Sequence, residues 1–544
     1  MPVDGGEAKV LTDVKNDVKS FKWSPDGTMI AFVVEDPPSE QEKQDVSMGR
    51  DWTVVEQNLK PLRLWAIETA SGASRIVTTN SISVWDYDWS PDGKNLAIAA
   101  TEKNLTDDSY MYVQLMRVSA NGGVPALVCK TEGKLGSPRW SNDGKWIAFR
   151  GAVAMNDPYA GNIFIVLASG GTPQNVTKGY KGTVTWIQWL RGSSVVTFCA
   201  IEGAKNVLKS ISVPTGIITS FIDNDLVFNG ASYGSDGKRL ALAANTARHP
   251  DEVWYGETNT KSVKRMTNFN PQLGSVALGE QEVVKWKHAD GTEIEGVLVK
   301  SVGYKQGQRY PTVLQIHGGP EGAYVNGWNA GYSNWAQLLA ANGYAVLMPN
   351  YRGSIGRGTE YSMADHRDLM GKEFEDMVAG VDYLIREGLA DPERLGIGGG
   401  SYGGYSAAWA ATASTRFKAS VVFAGITNWY SMTGTSDIFW ENSLVHWDKI
   451  MYENFDVYWQ RSPVAHINKA NTPTLILHGA SDLRVPTGQG QELYRALLWK
   501  GVPVECVIYP REGHGLVERE HQVDSMKRVL SWFNRYLKPS LSSH

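Results

Sequence analysis

The amino-acid sequence predicts two domains of different class, a β-propeller of four-stranded antiparallel blades over residues 1–275 and an α/β domain built on a mostly parallel sheet over residues 276–544. Three observations carry this reading. A Trp-Ser-Pro-Asp-Gly turn recurs through the first half. From Glu282 onward short apolar runs alternate with helix-like segments. Within that second half, Gly399-Gly400-Ser401-Tyr402-Gly403 stands where a strand gives way to a helix. A repeat of turn-linked strands is the mark of a propeller, and strand–helix alternation is the mark of a parallel sheet.

Taken in order, Trp23-Ser-Pro-Asp-Gly27, Trp89-Ser-Pro-Asp-Gly93 and Trp140-Ser-Asn-Asp-Gly144 each precede an apolar strand, Met29 to Val34, Asn95 to Ala100 and Trp146 to Phe149. Weaker copies stand at Trp189-Leu-Arg-Gly192 and Tyr233-Gly-Ser-Asp-Gly237, giving five units. The turn has a mechanism: proline presets φ, the aspartate side chain caps the bend, and glycine takes the positive φ that reverses the chain. A second glycine (Gly6, Gly72, Gly123, Gly171, Gly216) lies at a nearly constant distance upstream of each aromatic residue, in hairpin turns before short strands such as Ser74 to Thr78 and Gln174 to Thr177. Each unit is therefore an inner strand ending at the aromatic residue, a turn, a second strand and a hairpin of two more, which is a propeller blade. The charged stretch from Glu35 to Lys60 reads as a loop inserted in the first unit. Five blades are complete, and Gly6 to Thr12 reads as an orphan strand. It either completes the last blade or ends a sixth blade whose start lies upstream of Met1, and the second reading is slightly preferred.

In the second half Thr292 to Lys300, Pro311 to Ile316 and Tyr344 to Pro349 read as strands; His317-Gly-Gly-Pro320 follows the second and Asn350-Tyr-Arg-Gly353 the third. Asp368 to Glu387 reads as a helix, Asp391-Pro-Glu-Arg394 as a turn, Leu395 onward as a buried strand and Tyr402 onward as another helix. Phe417 to Ala424, Thr472 to Gly479 and Val502 to Pro510 are the later strands. Arg519 to Leu537 is an amphipathic helix with Val523, Met526, Val529, Leu530 and Phe533 on one face.

Gly399 to Gly403 fits G-x-S-x-G, the nucleophile elbow, in which a tight turn holds a serine hydroxyl clear of the sheet and side chains at the flanking glycines would collide. Two later strands deliver Asp482 and His514 just past their ends. The order Ser401, Asp482, His514 is that of an α/β-hydrolase, and each residue falls at the sheet edge where such folds place their chemistry. The implied reaction is acyl transfer: Ser401 attacks a carbonyl, His514 moves the proton, and Asp482 holds the imidazole. The oxyanion needs preorganised donors, for which the N–H of Tyr402 and one from the His317 to Gly319 loop are suited. His317 itself reads as an orienting residue rather than a second catalytic histidine.

Composition bounds the rest. A length of 544 residues exceeds one core, and a net charge of −4 with mixed signs offers no basic stripe for nucleic acid. No apolar run reaches the length of a membrane span. Met1-Pro-Val-Asp-Gly-Gly6 is no secretory signal, which points to the cytoplasm, so Asn104-Leu-Thr and Asn175-Val-Thr read as chance glycosylation sequons. Cys129, Cys199 and Cys506 read as buried free thiols. No metal or cofactor is expected, and the oligomeric state is open.

A propeller of W-S-P-D-G blades followed by H-G-G-P, N-Y-R-G-S, G-G-S-Y-G-G-Y and Asp482-Leu-Arg-Val-Pro486 resembles the prolyl oligopeptidase family of serine peptidases. The G-G-S-Y-G-G and H-G-G-P forms bring it nearest the acylaminoacyl-peptidase and dipeptidyl-peptidase-5-like branch. The resemblance implies Ser401, Asp482 and His514 as the triad, Gly319 and Tyr402 as oxyanion donors, Ile426 and Trp429 as walls of the pocket for the side chain before the scissile bond, and Arg484 as a ligand of a substrate carbonyl. It also implies a propeller that excludes folded proteins and so restricts substrates to short peptides. Two departures stand out. His317 replaces the tyrosine that prolyl endopeptidases and the dipeptidyl peptidase IV branch use as an oxyanion donor, and five blades are fewer than the family's seven or eight.

The leading expectation is thus a serine peptidase acting on short peptides with a free or acylated N-terminus. A carboxylesterase-type hydrolase on the same triad is the alternative, and a non-enzymatic propeller scaffold is a distant third. Glu35 and Asp36, or Glu40 and Glu42, are candidates to anchor a free amino terminus, against the plainer reading of a solvated charge run.

Overall fold

The computed structural model describes residues 5–213, 215–222, 225–258, 260 and 262–538. The chain forms two compact units, one of Met1–Lys178, Val184–Phe198 and Ser210–Thr219, the other of Gly179–Thr183, Cys199–Lys209 and Ser220–His544. The stretch 220–275, assigned above to the propeller, lies in the second of them.

Five four-stranded sheets, each in sequence order, make a five-bladed β-propeller. Their first strands are Val18–Trp23, Ser83–Trp89, Leu135–Trp140, Thr183–Trp189 and Val227–Tyr233, so each ends on the repeat's aromatic residue as expected. The turn that follows satisfies itself. Ser24 Oγ donates to Asp26 Oδ1 (2.6 Å) and accepts from Met29 N (2.9 Å), while Asp26 Oδ1 also accepts from Thr28 N (3.1 Å) and Gly27 sits at φ 72°. The same bonds recur at Ser90, Asp92 and Asn95 and at Ser141, Asp143 and Trp146. The serine, which the sequence reading gave no role, bridges the aspartate to the next strand.

Two expectations are corrected. Gly6 to Thr12 is not a strand: these residues pair with no sheet, and Val10 is 91% exposed. A lone segment with no neighbour to hydrogen-bond has nothing to hold it extended. The Glu35 to Lys60 insertion is not all loop. Ser39 and Glu42 form a capping box that starts a helix at Glu40–Ser47, because each side chain takes the other's orphan backbone N–H.

The second fold class is one eight-stranded sheet. Its strands are β1 (Gln281–Lys287), β2 (Glu293–Val299), β3 (Tyr310–Ile316), β4 (Ala345–Asn350), β5 (Ala390–Gly400), β6 (Ala419–Phe423), β7 (Thr474–Gly479) and β8 (Val504–Tyr509). Their spatial order is β1-β2-β4-β3-β5-β6-β7-β8, antiparallel through β1, β2 and β4 and parallel from β4 to β8. Asp391 to Arg394, expected as a turn, bulge out of β5 between residues paired with Tyr310 and Thr312.

Alternate residues of each strand face opposite cores, which is why these strands read as unbroken apolar runs. Leu314, Leu347, Val422 and Ile476 face one core with α1 (Lys372–Arg386) and α2 (Tyr402–Ala413). Val313, Val346, Val421 and Leu475 face the other with the long C-terminal helix. That helix, Arg519–Leu537, has the expected bounds, but its fully buried side chains are Ser525, Val529, Trp532, Phe533 and Leu537, with Val523, Met526 and Leu530 only half-buried. Gly396 allows its approach, since a Cβ there would lie 2.8 Å from Phe533 and Leu537.

Candidate active site

The parallel strands end at one edge, and the turns leaving that edge are strained. Ser401, Ala424 and Arg511 follow the ends of β5, β6 and β8 and hold φ of 59°, 44° and 67°, a region that side-chain-bearing residues rarely occupy. Ser401 is fixed by its N–H to Phe423 O (2.9 Å) and by its carbonyl, which accepts from Tyr405 N (2.9 Å) to start α2. Both expected glycines are required: a Cβ on Gly399 would meet Ile316 O at 2.4 Å, and one on Gly403 would meet it at 2.1 Å. Strand β3, helix α2 and the elbow can therefore close on each other only where these side chains are absent.

Asp482 and His514 are brought together, with His514 Nδ1 2.8 Å from Asp482 Oδ2. Asp482 Oδ1 accepts from the N–H of Arg484 and of Val485 (both 3.0 Å), and His478 Nε2 lies 3.4 Å from Oδ2. Burial pushes the Asp482 carboxyl up, but the hydrogen bonds from His478, His514 and the backbone outweigh it and hold the group well below the usual carboxylate range. It is thus an anion facing the imidazole, the arrangement that fixes the tautomer with the proton on Nδ1. Among the described residues Ser401 Oγ makes no hydrogen bond. The serine–imidazole bond of such sites commonly closes when substrate binds.

A clamp that the sequence reading missed holds the histidine loop. Glu512 is buried; its Oε2 accepts from Val517 N (2.8 Å) and its Oε1 from Glu518 N (2.9 Å) and His521 Nδ1 (2.7 Å). Its carbonyl accepts from Ser481 N (2.8 Å), tying the His514 loop to the Asp482 loop. Glu512, Glu518 and His521 are close enough together to suggest a cation site, but Glu518 is also paired with Arg511 and the oxygens of Glu512 are taken by the loop itself.

On the oxyanion side, a Cβ on Gly318 would lie 3.3 Å from Ser401 Cβ, and Gly319 holds φ 130°. Only glycine lets this loop run so close to Ser401. His317 orients it: Nδ1 bonds Gly318 O (2.8 Å), Nε2 bonds Ser354 Oγ (2.9 Å), and its ring stacks on Tyr351 with centroids 4.5 Å apart. Burial pushes its pKa down to about 4, so it stays neutral and able to hold both bonds. Tyr402, whose N–H is the other candidate donor, is buried and its hydroxyl donates to Glu373 Oε1 (2.6 Å).

Of the residues expected to read substrate, Ile426 is buried just past β6. Trp429 begins α3 (Trp429–Thr435) and packs edge-on against Tyr405 and Trp447 at 5.3 and 5.4 Å. Arg484 donates through Nε to Asp437 Oδ1 (2.8 Å) and is half-buried there. The candidate amine-anchoring acids are engaged locally, Asp36 with Arg63 (2.8 Å), Glu42 with Lys60 (2.6 Å) and Glu40 with Lys43 (2.6 Å).

Known proteins resemble this chain in sequence and in fold. The chain is 29% identical to the "Uncharacterized peptidase YuxL" of Bacillus subtilis (strain 168), over 99% of this chain and 86% of that one. It is 27% identical to dipeptidyl-peptidase 5 of Porphyromonas gingivalis, over 83% of this chain and 67% of that protein. The acylaminoacyl peptidase of Pyrococcus horikoshii shares the fold at a TM-score of 0.81, with 22% identity, 98% of this chain covered and 83% of that one. Residues 330–540 match the profile of the prolyl oligopeptidase family.

Proposed function

We propose that this protein is a serine peptidase that hydrolyses short peptides through an acyl-enzyme, of the acylaminoacyl- or dipeptidyl-peptidase type. The observation that carries it is the Asp482–His514 pair at 2.8 Å on the same sheet edge as a serine held at φ 59° with its hydroxyl unengaged. In this reading Ser401 Oγ attacks the carbonyl, His514 Nε2 takes its proton and returns it to the leaving amine, and the anionic Asp482 stabilises the imidazolium. The N–H groups of Tyr402 and Gly319 receive the oxyanion, each donor accounting for roughly 3 to 4 kcal/mol of barrier. Ile426 and Trp429 wall the pocket before the scissile bond, and Arg484, pinned by Asp437, presents its guanidinium to a substrate carbonyl.

Short peptides rather than nucleic acid are the fitting partner for a surface of net charge −4. No helix among the described residues is long and apolar enough to cross a membrane. Cys129, Cys199 and Cys506 are free, which suits a reducing compartment such as the cytoplasm. The test is hydrolysis of alanyl, acetyl-alanyl and Gly-Phe chromogenic amides beside matched esters, by the wild-type chain and Ser401→Ala. Amide turnover that vanishes in the variant supports the peptidase; ester turnover with negligible amide turnover replaces it with a carboxylesterase.

A further inference from the structure

Behind the oxyanion side lies a group of buried acids for which the acyl-transfer mechanism has no use. Glu373, in the first turn of α1, is fully buried; its Oε1 accepts from the Tyr402 hydroxyl (2.6 Å) and from Met370 N (2.5 Å). Its Oε2 and both oxygens of Asp365, also fully buried, have no donor among the described residues. Asp365 leads into a strained segment, with Arg367 at φ 63° and Met370 at φ 60°. A Cβ on Gly353 would lie 2.3 Å from Asp365 Oδ2, so the backbone presses on the carboxyl and shields it from water.

The charged groups that weigh most on Asp365 are acids: Glu373, Glu321 on the oxyanion loop, and Asp368. Asp368 is itself paired with Arg461. Glu321 lies 3.4 Å from His446, which lies 3.3 Å from Glu441. Tyr351 and Tyr405 complete the surroundings, both with their phenols pushed up by burial and by nearby acids. Two ionised carboxylates cannot share such a site: each would be stripped of water and would repel the other. Burial accordingly raises both carboxyls well above the ordinary carboxylate range, helped at Asp365 by the neighbouring acids and opposed at Glu373 by the hydrogen bonds from Tyr402 and Met370.

We propose that Asp365 and Glu373 are positioning residues: together they retain a proton, and the singly charged pair pins the Tyr402 side chain so that its backbone N–H points at the oxyanion. Loss of that proton in alkaline solution places a second charge beside Asp365, pushes the two side chains apart and loosens Tyr402. Acyl transfer then slows through kcat, with KM little affected, because the donor is called upon chiefly in the transition state. This rests on the reading of Ser401 as the nucleophile.

The test is the profile of kcat and KM from pH 6 to 10 on p-nitrophenyl butyrate, with the rate of labelling by a fluorophosphonate, for the full chain and for Glu373→Gln, Asp365→Asn, Tyr402→Phe and Ser401→Ala. In the wild type kcat falls on the alkaline side. In Glu373→Gln and Asp365→Asn that fall is lost, kcat at pH 7 drops by no more than about fivefold, and KM stays within about twofold. Tyr402→Phe lowers kcat about tenfold at pH 7 and also flattens the alkaline side. The proposal is overturned if both carboxyl variants keep the wild-type alkaline fall. It is equally overturned if both lose activity more than a hundredfold at pH 7 while folded by circular dichroism, since the doubly ionised pair would then be the working form. Should one carboxyl variant not fold, the other decides by the same criteria. Activity remaining in Ser401→Ala would remove the nucleophile assignment instead, and is read separately from the shape of the profiles.

Discussion

The chain uses serine and glycine to turn a corner in two places with opposite results. In the propeller turn, Ser24 Oγ is bonded at both ends, to Asp26 and to the N–H of Met29, and only glycine takes the positive φ. At the elbow the glycines instead permit close approach, the serine itself takes the positive φ, and its hydroxyl has no partner among the described residues. The first turn is content and can be repeated down the chain. The second is held under strain by β3, α2 and β6, and it leaves one polar atom available for chemistry. A group that the fold does not satisfy is where function is to be sought.

The strongest way to break this comparison is Ser401→Ala. It should lower kcat on a short peptide amide by roughly 10⁴- to 10⁶-fold while leaving the melting temperature nearly unchanged, since the hydroxyl bonds nothing among the described residues. A marked loss of stability would mean that the elbow serine, like Ser24, is structural. Asp482→Asn comes next, with a fall in kcat of about 10⁴-fold expected because the amide no longer accepts the imidazole N–H and the wrong tautomer is favoured. Retention of most activity in that variant would detach Asp482 from the mechanism.

His317 sharpens the comparison through pH. Its folded pKa of about 4 lies below the ordinary 6.5, so the unfolded chain takes up that proton first. Stability is complete above pH 6.5 and declines as pH falls toward 4, by up to about 3 kcal/mol for this one group. Urea unfolding of His317→Gln should lose that part of the acid slope; an unaltered slope would show the imidazole is not buried neutral. The smallest effect belongs to the propeller. Ser141→Ala removes the bridge between Asp143 and Trp146 N and should cost about 1 kcal/mol, read from the urea midpoint, with kcat unaffected. A kcat change there would couple the turn to catalysis.

These contrasts also explain what was legible in advance. The propeller turns could be read because every bond that makes them is local, spanning Ser24 to Met29 and its copies. The placement of Ser401, Asp482 and His514 just past strand ends could be read because each sits at a fixed distance from an apolar run. Gly6 to Thr12 was misread since its spacing matched the repeat while no neighbouring strand existed to hold it. The helix at Glu40–Ser47 was passed over as a charge run although Ser39 and Glu42 spell its capping box. Asp365, Glu373 and Glu512 were invisible for a different reason: acidic letters in a loop or at a helix start look solvated, and only tertiary burial turns them into a proton-holding pair or a loop clamp.

The order of the strands carries one more consequence. Asp482 and His514 leave adjacent strands, β7 and β8, and their loops are stitched together by Ser481 and Glu512. Ser401 and Asp482, by contrast, are separated by β6 and by the long helical excursion that carries Trp429, Asp437 and Trp447. Insertions, deletions or reshaped helices in that excursion can therefore be taken up without touching the Asp482–His514 pair, so this stretch is the part of the sheet's edge most open to remodelling.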